Sequence, residues 1–170
     1  MHEQHFTTRH PVRLEIRIAA GEARVQTIDG DQSTVVLDAS PQLLDATRVE
    51  LVGDRLLIEE RRKSAIGWFG RWEESVRVHA RVPHCSTVEI VTASADATLD
   101  GMFGGLDVKS ASGEVVVTGQ LEGDVQAKTV SGDVRLPRVA GDLTVRTVSG
   151  DVIASSVDGS VQVSSVSGLS

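Results

Sequence analysis

The sequence predicts an all-β fold: a parallel β-solenoid with two strands and about 18 residues per coil, preceded by an irregular β cap. Three observations lead there. The stretch "TVSGDVRLPRVAGDLTVR" is followed at once by "TVSGDVIASSVDGSVQVS", and "SVSG" then starts a third copy. Glycines recur at matching intervals: Gly105, Gly123, Gly141 and Gly159 form one series, and Gly113, Gly132, Gly150 and Gly168 another. Aromatic residues make up only 3% of the chain and Tyr is absent, so the interior must be aliphatic and thin.

The two glycine series interleave into half-repeats of about nine residues, and Ala95 extends the second series one step earlier. Each half-repeat has apolar residues at alternate positions after its Gly, then another apolar residue three positions on. The sets are Val134, Leu136 and Val139; Leu143, Val145 and Val148; Val152, Ala154 and Val157; and Val161, Val163 and Val166. Alternation at period two marks a strand with one face inward, which turns Arg135, Thr144, Arg146 and Gln162 outward. Gly suits the corners because it tolerates positive φ, and the Asp or Ser after it can cap the turn. One 18-residue unit cannot bury its own apolar face, whereas stacked units form continuous aliphatic columns.

The first half reads as less regular β structure. "VRLEIRI" puts Val12, Leu14, Ile16 and Ile18 on one face. Gly21 and Gly30, nine residues apart, suggest a degenerate half-coil. "RVELVGDRLLIEE" reads as two strands around a Gly53-Asp54 turn. "ESVRVHARVP" turns Val76, Val78, Ala80 and Val82 inward and Arg77, His79 and Arg81 outward. Pro83 marks the passage from the cap, residues 1–83, to the regular coils, residues 84–170, of one continuous domain. No segment has helical periodicity.

Net charge is -7 and unevenly placed. Residues 1–83 carry 12 basic and 13 acidic side chains (-1), and residues 84–170 carry 5 and 11 (-6). The acidic second half argues against nucleic acid as a partner, because phosphate binding needs a basic face. Cys85 is the single cysteine, so no intrachain disulfide forms. The polar start "MHEQHFTTRHPVRLEIRI" has no apolar run of signal-peptide length, and no stretch is long and apolar enough to span a bilayer. The expected location is the cytoplasm.

The succession "RVHARVPHCSTVEIVTASADATLDG", "GGLDVKSASGEVVV" and repeated "TVSGDV" resembles a bacterial family of adhesin-like β-strand-repeat domains of unknown function. The resemblance runs from about "VRLEIRI" onward, carried by the strand–Pro–strand entry at Val82-Pro83 and the serial "SGD" turns. It implies the β-repeat fold and a link to the bacterial envelope and its stress responses. It carries over no catalytic residue.

Among residues that could bear chemistry, Glu114, Asp133 and Asp151 should stack on one corner, and Asp124 and Asp142 on another. Turn capping accounts for them better than calcium, since "SGDVRLPRV" has fewer Gly and Asp than a calcium-binding β-roll needs. His2, His5, His10 and His84 lack the spacing of a closed metal site, so no metal or cofactor is expected. No motif places a base beside Cys85, which reads as a buried or edge cysteine. A carbohydrate-active enzyme would need a cleft and a carboxylate pair at a controlled distance; the acidic residues here form a regular ladder at turns. The chain is read as no enzyme.

The strongest candidate is "RRKSAIGWFGRW", with Arg61, Arg62, Lys63 and Arg71 around Trp68, Phe69 and Trp72. It can cap the first coil, present a hot spot to a protein partner, or make weak contact with an anionic membrane surface. The chain also stops as another coil begins, which makes Val161, Val163 and Val166 a candidate end for homo-oligomer formation. The expected function is a non-enzymatic interaction or scaffold protein linked to envelope stress. A surface adhesin is the alternative, and a carbohydrate-active β-helix enzyme a remoter one.

Overall fold

The computed structural model describes residues 2–7, 12–30, 32–39, 47–60 and 76–165. Among them the chain forms strands β1 (His2–Thr7), β2 (Arg13–Ile28), β3 (Gln32–Asp38), β4 (Thr47–Val52), β5 (Arg55–Glu60), β6 (Val76–Pro83) and β7 (Ser86–Ser112). The repeats supply β8 (Val115–Leu121), β9 (Val125–Thr129), β10 (Val134–Val139), β11 (Leu143–Thr147), β12 (Val152–Val157) and β13 (Val161–Ser165). The fold is all-β, with no helix among the described residues. None there is therefore long and apolar enough to cross a membrane.

The expectation of parallel pairing holds through the repeats but not throughout. The sheet is mixed: β1 pairs β3, β3 pairs β6 and β4 pairs β5 antiparallel. From β2 onward, strands of successive repeats pair parallel, Leu143 lying opposite Val125 on one side and Val161 on the other. The β4–β5 hairpin can only pair antiparallel, because its two-residue turn at Gly53-Asp54 reverses the chain, whereas β1–β3 and β3–β6 join strands that are not consecutive in the chain. Gly53 takes φ +63° there.

Strands β2 and β7 are long enough to serve two rows. One row runs β1-β3-β6-β2-β7-β8-β10-β12, the other β4-β5-β2-β7-β9-β11-β13. Inward side chains of both rows join one aliphatic core, Val134 and Leu136 meeting the same cluster as Leu143 and Val145. The alternation read from the first half is observed: Val12, Leu14, Ile16 and Ile18 are buried, as are Val76, Val78, Ala80 and Val82.

The repeat pattern differs in one half-repeat. In β10 period two is interrupted between Leu136 and Val139, which lie three positions apart and both face inward; the register shift against β8 comes from one extra residue on the β8 side, between Val116 and Gln120. In β11 no slip occurs and period two continues, which buries Thr147 and leaves Val148 42% exposed. The expectation that Val148 faces inward is therefore corrected. Val161 and Val163 are 52% and 41% exposed, although their counterparts Leu143 and Val145 are buried.

The corners show why glycine recurs. Only Gly113 of the two series has positive φ among the described residues. Elsewhere the reason is close approach: a Cβ on Gly132 would lie 2.0 Å from the Gly113 carbonyl oxygen, and one on Gly150 2.0 Å from that of Gly132. The acidic turns cap the following repeat. Glu114 N–H donates to Asp96 Oδ1 (2.9 Å), Asp142 N–H to Asp124 Oδ1 (3.0 Å), Asp151 N–H to Asp133 Oδ1 (3.2 Å) and Ser160 N–H to Asp142 Oδ1 (2.8 Å).

Candidate functional site

Aligning the repeats on Gly113, Gly132 and Gly150 places Lys109, Lys128 and Arg146 each four residues earlier. The strands convert that spacing into a column, because Lys109 pairs with Lys128 across β7–β9 and Lys128 with Arg146 across β9–β11. All three are exposed. Parallel neighbours lie about 4.8 Å apart, so three cations stand along about 10 Å. Water-screened repulsion between adjacent unit charges at that distance is of order 1 kcal/mol. Three exposed arginines elsewhere have close carboxylate partners: Arg24 with Glu22 at 2.7 Å, Arg138 with Asp158 at 2.8 Å, and Arg55 with the buried Glu15 at 2.6 Å. Hydrogen bonding and attraction to Glu15 raise the Arg55 pKa above its ordinary value. Lys109, Lys128 and Arg146 have no such partner among the described residues.

Beside this column the chain turns the corner, and the residues of the corner complete a groove of about 490 Å³. Its floor is a column of hydroxyls: Thr92, Ser110, Thr129 and Thr147, all buried. They bond one another, Thr92 Oγ1 donating to Ser110 Oγ (3.2 Å) and Thr129 Oγ1 to Thr147 Oγ1 (3.2 Å). Thr147 Oγ1 also accepts from Gly150 N–H at 2.9 Å. The far wall is apolar, built from Ala111, Val130 and Val148. Val130 and Val148 are exposed by the continued alternation that buries the threonines. The floor thus has its polar groups engaged, leaving charge on one wall and methyl groups on the other to meet a ligand.

The segment holding Arg61, Arg62, Lys63, Trp68, Phe69, Arg71 and Trp72 lies outside the described residues, as do Val166 and His10. Val161 and Val163 stand on β13, away from that segment in sequence. Cys85 is exposed, not buried, in the turn between β6 and β7, where it takes φ +68° and its N–H donates to Met102 O (2.8 Å). His5 sits 3.1 Å from Glu3, and His84 Nδ1 lies 2.8 Å from Thr27 Oγ1. Among the described residues no three His, Cys, Asp or Glu side chains converge to hold a metal. The groove was missed by reading charge as a total over residues 84–170. The Gly-minus-four spacing of Lys109, Lys128 and Arg146 was the available signal.

The chain has structural likeness to several bacterial proteins of very low identity. A candidate cell adhesion protein from Clostridium sporogenes shares 9% identity, over 96% of this chain and 99% of that one, with a TM-score of 0.49. A candidate adhesin from Bacteroides fragilis shares 10%, over 95% of each chain, at 0.44. A candidate lipid binding protein from Parabacteroides distasonis shares 11%, over 98% and 96%, at 0.34. No curated protein matches the chain. Residues 13–168 match the model of the Toastrack DUF4097 family, and the chain belongs to that family.

Proposed function

We propose that this chain is a non-enzymatic interaction module of a bacterium, a short β-solenoid scaffold that holds an anionic partner on the column Lys109, Lys128 and Arg146. The observation that carries this reading is the column itself: three cations in register, without carboxylate partners among the described residues, in a chain of net charge -7. The backbone ladder fixes the spacing of their Cα atoms before any partner arrives, so only the side chains remain to be ordered on binding. Action at the cell surface or in an envelope response would use the same face.

Retention on immobilised dextran sulfate at low salt tests this. A protein of net charge -7 is repelled by that matrix unless a local cationic surface engages it. Wild type should be retained, and K109Q/K128Q/R146Q should elute with the flow-through. A W68A/W72A variant reports on the aromatic segment in the same run. Equal retention of wild type and the triple variant would remove the groove from the function.

A further inference from the structure

We infer that two copies of this chain pair head to head through the end formed by β12 and β13, across a two-fold axis. The inference stands apart from the cation column. Among the described residues β12 and β13 end their rows, each bonded to one neighbouring strand only, β10 and β11. Leu143 N–H donates to Ser160 O (2.9 Å), and hydrogen-bond direction alternates along a parallel strand. Val161 and Val163 therefore turn their backbone N–H and C=O away from β11, toward the open edge. Native proteins blunt such edges with charge. The opposite ends of the rows follow that rule: β1 carries Glu3, and β4 carries Arg48 and Glu50. The β12–β13 end does the reverse. Ile153 stands opposite Arg135, Ser156 opposite Arg138 and Ser164 opposite Arg146. A neutral residue thus replaces each of these arginines, and neither terminal strand holds a charge. Ile153, Val161 and Val163 are also exposed, the two valines at positions where Leu143 and Val145 are buried.

A second copy is the occupant these features fit. A single added peptide strand covers one edge, whereas here two edges lie about 10 Å apart. Val152, Ala154 and Val157 are half-buried against the core between them. A partner must therefore offer two strands at the same separation over an aliphatic interior, which this same end does. Two chains of net charge -7 repel, and a neutral cross-section is where they can approach. The charged strands β1 and β4 at the other end are no match for it, so the contact is isologous and closes at two copies.

Sedimentation velocity of the full chain over a concentration series tests this. Strands of six and five residues make a small contact, so the dimer is reversible and its fraction rises with concentration. The mass should approach that of two chains and go no higher. I153R/S156R/S164R gives the last repeat the arginines of the one before it, at three exposed positions. It should weaken the dimer about tenfold or more, because like charges then meet along the junction. Its thermal unfolding at low concentration should match wild type, which separates lost pairing from lost folding. Raising salt from about 0.1 M to about 1 M should hold or tighten the dimer, since salt screens the repulsion between two acidic chains. A wild-type mass of one chain at every concentration would overturn the proposal, and so would equal association of the arginine variant. Dissociation at high salt would move the contact to a charged surface. A mass growing past two copies would overturn the head-to-head arrangement.

Discussion

Truncating the same residue at the same register position in two successive repeats should give unequal losses of stability. Val145 on β11 pairs with Val163 on β13, yet Val145 is 1% exposed and Val163 41%. Val→Ala removes two carbon groups, and at about 0.8 kcal/mol per buried carbon the transfer loss at Val145 is about 1.6 kcal/mol. The cavity left between the two rows adds about 1 kcal/mol, for a total near 2.5 kcal/mol. At Val163 the fraction buried is 59% (100 − 41). The loss there scales to about 0.9 kcal/mol, and solvent fills the space, so no cavity cost is added. For a chain of this size the corresponding drops in Tm are about 7 °C and about 3 °C. Urea unfolding of V145A and V163A, followed by circular dichroism at one protein concentration, measures both. Equal losses would show that Val163 is packed as deeply as Val145, and the burial-based reasoning would fail.

Thr147→Val should cost about 1–3 kcal/mol, because it leaves the buried Gly150 N–H without its acceptor; Thr129→Val, whose hydroxyl only donates to Thr147 and Gly132, should cost less. Differential scanning of the two variants compares them. Millimolar calcium should leave Tm within a degree or two of its value in chelator, since Asp124, Asp133 and Asp142 already accept backbone N–H bonds; a large calcium-dependent rise would overturn the capping role. The His79 pKa is lowered first by burial and then by Arg81 and Arg24. The unfolded chain therefore binds the proton more readily, and the His79 contribution to stability is present above pH about 6.5 and is lost as pH falls from there through the folded pKa. H79Q should flatten that limb of the stability–pH curve, and an unchanged limb would assign it elsewhere. If molecules associate through the exposed Val161 and Val163, light scattering should show mass rising with concentration for wild type and not for V163D; a constant mass for both would rule the association out.

The amino-acid sequence determined which positions form strands and, for most, which way they face. Period-two alternation places Val12 to Ile18, Val76 to Val82, and Val134 to Val145 inward, because only a strand turns every second side chain to one side. It also determined the repeat, and with it the capping aspartates, since each repeat offers the same N–H group to the aspartate of the repeat before it. It did not determine the mixed sheet: whether β3 lies beside β1 and β6 depends on contacts between residues far apart in the chain, such as Val36 with His79. Nor did it reveal that the "TVSG" corner keeps period two while β10 breaks it between Leu136 and Val139, which exchanges Val148 for Thr147 in the interior. That choice is made by packing against neighbouring repeats, where a hydroxyl can enter the core because another hydroxyl and a glycine N–H meet it. The groove is the consequence. Lys109, Lys128 and Arg146 are 19 and 18 residues apart in sequence, and only the register of β7, β9 and β11 makes them neighbours.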